Sequence, residues 1–285
     1  MIFWSFSFIW TRVAILSFPP MTLISLRLIL ASILLFVVLK FTKQFQLIRK
    51  SDIKLFLFLA LFEPFLYYVG ETFGLTLVES TPAAVIISTI PLFAPLFAFI
   101  FLRERIGWPI ILGIMISIVG VFLVIYERNG QLNANPFGVA LMFMAVFSAI
   151  CYATILKKIP TYYNTMSVIF YQSLFGLLFF IPTFFLTDYS NVQNIKISTQ
   201  SVLALVMLSI FASVIAFVLF AGAVRKVGVS RTNVFVNLIP VFTAILSWLF
   251  IGEVLTQLKW IGITIVVIGL FVSQWKNYKF VGKFN

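Results

Sequence analysis

The chain has 285 residues, of which 62% are apolar and 10% charged, with a formal net charge of +12. Soluble globular chains run at roughly 45–50% apolar and about 25% charged, so this composition leaves too little charge to cover a water-facing surface. A single cysteine, Cys151, excludes an intrachain disulfide and a cysteine-rich metal site; the lack of histidine excludes a Ser-His-Asp triad, a zinc-protease site and a histidine-ligated haem. The basic residues lie between apolar stretches and form no single stripe, which argues against nucleic acid as a partner. The medium implied is a lipid bilayer, with no cofactor and no metal.

A membrane-spanning helix needs about 20 apolar residues. Apolar runs bounded by charge or turn residues give ten of them. They are apolar on all sides, which means helices and not the alternating strands of a barrel. The first, 2–17, is short and contains Arg12. A truncated amino end, a shallow start and a cleaved signal peptide are the alternatives; the last is opposed by the lack of basic residues before the run and of a small-residue cleavage site after it. The second, 21–40, carries Arg27 roughly 9 Å below the edge at which the span begins.

The third span, 54–75, holds two glutamates in FEPFLYYVGETFG. A carboxylate at the centre of a span costs roughly 2.5–3.5 kcal/mol on insertion scales, so each is expected to face a cavity or a partner. Glu71 lies at a depth similar to that of Arg27 and is expected to pair with it, either as a buried structural bridge or as part of a substrate or gating site. Glu63 lies near the midplane with no cation at matching depth, unless Arg12 approaches. That suits proton coupling or recognition of an amino group; the alternative is a protonated carboxyl bonded to a backbone carbonyl. Tyr67, four residues from each, completes a polar stripe.

The fourth span, 82–102, contains Pro91 and Pro95, which free carbonyls that Ser88 and Thr89 can partly satisfy. Such prolines act as hinges or as simple packing kinks. The fifth span, 108–126, and the sixth, 136–156, bracket the chain's midpoint. The seventh and eighth are 164–186 and 200–223. Asn233, Asn237 and Pro240 lie in the ninth, 231–251, where buried amides need partners. The tenth is 257–275. Trp4, Tyr171, Gln172 and Trp248 read best as interfacial or packing residues. Glu253, at a helix end, reads as a loop-fixing residue.

Charge orients the chain. Segments of one parity hold fifteen basic residues, against Arg128, Lys196 and Lys259 on the other. This positive-inside bias puts both termini in the cytoplasm. The run from Ile90 aligns without a gap to the run from Ile239, an offset of 149 that matches Pro91 with Pro240, Glu104 with Glu253, Gly113 with Gly262 and Gly120 with Gly269. Two apolar helices matching by chance would share Leu and Ile rather than Pro, Glu and Gly. A unit of five helices is odd, so the second copy is inverted, an arrangement frequent in alternating-access transporters.

This pattern resembles the EamA branch of the drug/metabolite transporter superfamily. The resemblance rests on Pro20 to Arg27, the Ser-Thr-Ile-Pro-Leu-Phe run from Ser88 to Phe93, Glu104 with the glycines that follow, and their echoes at Ile239–Phe242 and Gly252–Val254. It implies two EamA-like repeats, over 1–126 and 136–275, and a central cavity formed by spans three, four, eight and nine with parts of one and six. Tyr152 and Trp10 become site candidates on that ground. The short first span and the two glutamates depart from the usual pattern.

The expectation is an all-α membrane protein of ten transmembrane helices in two inverted five-helix repeats. Its expected activity is secondary transport, in the export direction, of a small polar or zwitterionic metabolite such as an amino acid, with protons as a possible coupling ion. The location implied is the inner (cytoplasmic) membrane. No nucleotide motif supports an ATP-driven pump. A passive channel and an intramembrane enzyme working through Glu63 and tyrosines are the rivals, and no enzymatic activity is expected.

Overall fold

A computed structural model of the chain describes residues 1–94, 97, 107–125, 134–190, 197–227, 232 and 234–281, which are helical, in turns or without regular structure, with no strand among them. In chain order the helices are α1 (Ile2–Ala14), α2 (Pro20–Phe41), α3 (residues 53–77), α4 (Ser80–Ala94), α5 (Trp108–Ile125), α6 (Pro136–Lys158), α7 (Thr165–Thr187), α8 (Thr199–Lys226), α9 (Ile239–Ile251) and α10 (Gln257–Val281). Six of these, α2, α3, α5, α6, α7 and α8, are long and apolar enough to cross a membrane; α4, α9 and the apolar part of α10 are shorter.

Local chemistry sets several boundaries. Pro20 and Pro136 occupy first-turn positions, where a missing N–H costs nothing. Side chains of Asn135, Asn164 and Ser198 cap α6, α7 and α8 by accepting N–H bonds from Phe137, Ser167 and Ser201. α9 ends on Gly252, whose φ of 66° suits glycine. Three bounds differ clearly from expectation, one of them the end of α10, which runs on to Val281. α1 stops at Ala14 in a turn that leads into Pro19 and Pro20. The α-helical part of α9 begins only at Ile239, after a 3-10 turn over Val234–Leu238.

α3 is not a regular helix. Its middle, Leu61–Leu66, is a π turn in which Glu63 takes φ −144° and ψ 115°, next to a cis bond to Pro64. Proline has no N–H for the helical ladder, and the Ser148 hydroxyl of α6 donates to the carbonyl of Phe62 at 2.5 Å. α8 contains the matching interruption, a π turn over Leu208–Ala216. Moving 61–66 by 149 residues gives 210–215, inside that second turn. The break in α4 at Ser88 and Thr89, just before Ile90, likewise corresponds to the 3-10 turn just before Ile239.

α5 and α10 pack closely in opposite directions. A Cβ on Gly113 would lie 2.5 Å from the Gly269 carbonyl oxygen, and one on Gly120 would lie 2.7 Å from that of Gly262. Between them the Ser117 hydroxyl donates to the Val266 carbonyl at 3.3 Å. Small residues allow backbones to approach in this way inside a bilayer, where packing replaces the hydrophobic effect. Gly120→Ala is expected to lower stability by about 1–3 kcal/mol through overpacking, measured as thermal or denaturant unfolding in detergent. Gly222→Ala serves as the control, since nothing lies within 4 Å of a Cβ there.

Polar contacts bind the two halves at both ends of the bundle. At one end the segment after α2 meets the segment after α6. Tyr162 and Tyr163 donate to Asp52, Gln46 donates to the Tyr162 carbonyl at 2.9 Å, and the Arg49 guanidinium lies 4.1 Å over the Tyr162 ring. The two phenol donors hold the Asp52 carboxyl below its ordinary range, and the Tyr162 phenol is pushed up to about 12 by its bond to Asp52. A carboxyl depressed in the folded state stabilises above its unfolded pKa and stops doing so as pH falls through the folded one. Acidification is therefore expected to loosen this clamp. The Arg49 amide, which donates to the Tyr163 hydroxyl at 2.9 Å, should then exchange hydrogen faster relative to its intrinsic rate, as it should in Asp52→Asn at neutral pH.

Candidate functional site

The π turn of α3 points Glu63 into the middle of the bundle. One turn later the helix is regular again, and Tyr67, Tyr68 and Glu71 follow. Together with Arg27 of α2, they line a small central cavity of ≈ 60 Å³. Tyr152 of α6, Trp4 of α1 and Phe217 and Phe220 of α8 supply much of the remaining wall. Both glutamates and the arginine are buried, at 5%, 3% and 3% exposure.

Arg27 is held on three sides. Its Nε donates to the Ser213 hydroxyl at 2.6 Å, its guanidinium lies 4.1 Å over the Tyr68 ring, and Nη1 stands 4.0 Å from Glu71. The Tyr67 hydroxyl donates to Glu71 at 3.3 Å, and the Tyr68 hydroxyl lies 3.4 Å from Ser213. Tyr152 donates to Gln172 at 3.1 Å. Glu63 has neither a hydrogen bond nor an ion pair among the described residues. Arg12 does not approach it, because its Nη1 donates to the Leu75 carbonyl instead. A cavity that holds two carboxylates and one guanidinium therefore has one carboxyl group uncompensated.

The remaining sequence candidates fall elsewhere or outside the described residues. Trp10 does not line the cavity; it stacks on Phe6 at 5.2 Å and lies 6.1 Å from Phe211. Trp4, nearly two turns earlier on α1, takes the cavity position, packing edge-on against Phe217 and Phe220 at 5.3 and 4.9 Å. Thr89 donates to the Ile86 carbonyl at 2.6 Å and Ser88 to that of Val85 at 2.7 Å, in the turn that precedes Pro91. Pro240 sits in the first turn of α9, where it does not interrupt a helix. Asn233 and Pro95 lie outside the described residues, as does the side chain of Asn237. Its chain neighbours Val236 and Ile239 do reach the cavity.

Sequence reading did not single out Ser213, Phe217 or Phe220. The first is a common small residue of membrane helices, and an aromatic in an apolar run gives no sign of facing a cavity. It also read Lys259 only as a charge marker. Lys259 is 4% exposed and bonds Glu79, with Glu253 at 3.6 Å, while Glu253 accepts the Thr81 N–H at 3.2 Å. Glu253 thus fixes the start of α4 across the two halves at the end opposite the Asp52 clamp. An anion at a helix start is favoured by the free N–H groups and the dipole there.

Six helices are long and apolar enough to cross a membrane, and four of them, α2, α3, α6 and α8, line the buried, charged cavity, which fits a multi-pass membrane protein. The EamA-like transporter family model matches residues 1–126 and 136–275, and the chain belongs to that family. It is similar to the uncharacterized transporter YetK of Bacillus subtilis, 27% identical over 88% of this chain and 77% of that one. An uncharacterized transporter of Archaeoglobus fulgidus is 27% identical over 95% of this chain and 94% of its own. The uncharacterized inner membrane transporter YedA of Escherichia coli is 23% identical over 99% and 90%. A protein of known crystal structure shares the fold with a TM-score of 0.68 at 18% identity, covering 95% of this chain and 96% of its own.

Proposed function

We propose that the protein is a secondary transporter that exports a small metabolite with an amino group across the cytoplasmic membrane. In this reading ten helices cross the bilayer as two inverted five-helix halves, both termini are cytoplasmic, and the central cavity is exposed to each side in turn. Protons are the coupling ion, carried on Glu63. The observation that carries the reading is the exchange symmetry of the contacts between halves. Exchanging the halves at offset 149 turns the Gly113–Gly269 contact into Gly262–Gly120 and the Ser117–Val266 pair into itself. That is what a two-fold axis across antiparallel helices produces.

Further support comes from crossed packing. Arg27 of α2 meets Ser213 in the π turn of α8, and Gly176 of α7 meets Pro64 in the π turn of α3, with a Cβ 2.5 Å from its ring. Each π turn is thus braced by the other half, and motion of one half against the other must pass through both. At ≈ 60 Å³ the cavity is well below the roughly 300–1,000 Å³ of small-molecule sites, so its walls part to admit cargo. The test is flux of a metabolite panel in sealed vesicles containing the purified protein, with and without a pH gradient. Saturable flux driven by the gradient is the expected result. Unsaturable conductance indicates a channel, and chemical turnover without movement indicates an enzyme.

A further inference from the structure

We infer that the cargo is an amphipathic amine bound as a cation, its ammonium group on Glu63 and its apolar body against Trp4, Phe217 and Phe220, and that a free carboxylate on the cargo is rejected. This inference rests on the transport reading and narrows its substrate class.

It begins from the distribution of polarity between the halves. At offset 149, Glu63, Tyr68 and Glu71 of α3 correspond to Ala212, Phe217 and Phe220 of α8. Two helices in equivalent places, each with a π turn, therefore present opposite chemistries to one cavity. The α3 wall is acidic and phenolic; the α8 wall is aromatic and apolar. A guest that fills such a space has one charged end and one apolar end.

The sign of the charge follows from which groups are already engaged. The cavity's guanidinium gives its Nε–H to Ser213, lies over the Tyr68 ring and has Glu71 as its anion at 4.0 Å. The hydroxyls of Tyr67 and Tyr152 donate to Glu71 and Gln172, and the Ser7 hydroxyl donates to the Trp4 carbonyl at 2.7 Å. Arg27 is the one cation among the described residues that line the cavity, and its charge is already countered by Glu71, so a carboxylate on the cargo meets no unpaired cation there. Glu63 is the acceptor without a partner, and a buried carboxylate is satisfied by a cation that donates hydrogen bonds. Aromatic faces beside it favour the same sign, since they attract ammonium groups and repel anions. An amino acid offers an ammonium group to Glu63 but brings a carboxylate that must be buried unpaired or must share the single charge of Arg27 with Glu71.

A series of constant shape separates these cases. Full-length protein in proteoliposomes is presented with 2-phenylethylamine, phenylalanine and 3-phenylpropionate, which share a ring and chain and carry a cation, a zwitterion and an anion. Saturable flux at least tenfold faster for the amine than for the other two is expected. Glu63→Gln should abolish its saturability, Glu63→Asp should retain it, and Phe220→Ala should raise its half-saturating concentration about tenfold. The Asp variant and the raised constant distinguish loss of binding from loss of fold. Saturable flux of phenylalanine or phenylpropionate equal to or above that of the amine overturns the cation assignment and leaves transport standing. Lack of saturable flux for all three also overturns it. If the same vesicles then carry nothing from the metabolite panel, the transport reading fails as well.

Discussion

Glu63→Gln is expected to reduce saturable flux by about 10²–10³-fold while leaving the protein as stable as the parent, or slightly more so. The two halves of that expectation have one cause. Glu63 is buried at 5% exposure, without a hydrogen bond or ion pair among the described residues, so its charge stabilises nothing in the resting fold. Glutamine keeps the shape and removes the charge, and removing an unpaired buried charge does not weaken a structure. In the proposed loaded state the same carboxylate meets the cargo or a proton. Deleting one member of a desolvated charge pair costs about 2–5 kcal/mol, and each 1.4 kcal/mol is tenfold. Flux in proteoliposomes and thermal unfolding in detergent measure the two together. Flux within threefold of the parent would falsify the role given to Glu63. A large fall in stability would show instead that the carboxyl holds the π turn together.

That division between stability and function bears on what the sequence could reveal. Charges in an apolar run are conspicuous because lipid makes them costly, and Glu63, Glu71 and Arg27 were legible for that reason, with Tyr67 by its spacing. The helical architecture was legible from hydropathy, whereas the side-chain caps at Asn135, Asn164 and Ser198 emerged only with the structure. The other wall of the cavity was not. Phe217 and Phe220 lie among 35 phenylalanines, and facing a cavity leaves no mark on an apolar residue in an apolar helix. Trp10 was a candidate through the family resemblance, which points to a helix and not to the face of it that turns inward; Trp4 holds that face. The interruption at Glu63 also defeats ideal geometry. The span was read as one regular helix, and the extended dihedrals that aim the carboxyl inward depend on how α6 and α7 pack around Pro64.

The α4–α9 contact shows the same boundary from another side. Glu253 was read correctly as a residue at a helix end that fixes the chain, yet its partners are 172 residues away at Thr81 and nearby at Lys259. Spacing along the chain cannot find a partner supplied by the opposite half. With this contact at one end and the Asp52 clamp at the other, polar links between halves exist at both mouths of the bundle. In the proposed alternating access, opening either mouth would break its own set. Glu253→Gln weakens one set without touching the cavity, so it is expected to raise the rate at which a water-soluble thiol reagent reaches a cysteine placed at Ser80, measured against the parent with the same cysteine.

Arg27→Met is expected to have the reverse signature to Glu63→Gln, a loss of stability on the order of 3–5 kcal/mol. The guanidinium is 3% exposed, and its removal leaves Glu71 without a cation and takes away the donor that Ser213 accepts. The distances rank these effects. At 4.0 Å the Glu71 contact is long for a hydrogen-bonded pair, whereas the Ser213 bond at 2.6 Å and the Tyr68 ring at 4.1 Å are close. Arg27→Lys should therefore recover only part of the loss, since an ammonium group keeps the charge but neither the planar stacking nor the forked donors. Glu71→Gln in the Arg27→Met background should restore part of it by removing the orphaned charge, a coupling that a double-mutant cycle of unfolding free energies reads directly. Full additivity of the two substitutions would mean that Arg27 is held by Ser213 and Tyr68 alone. Arg27 would then brace α2 against the π turn of α8, and Glu71 would stand beside it as a second acceptor facing the cavity.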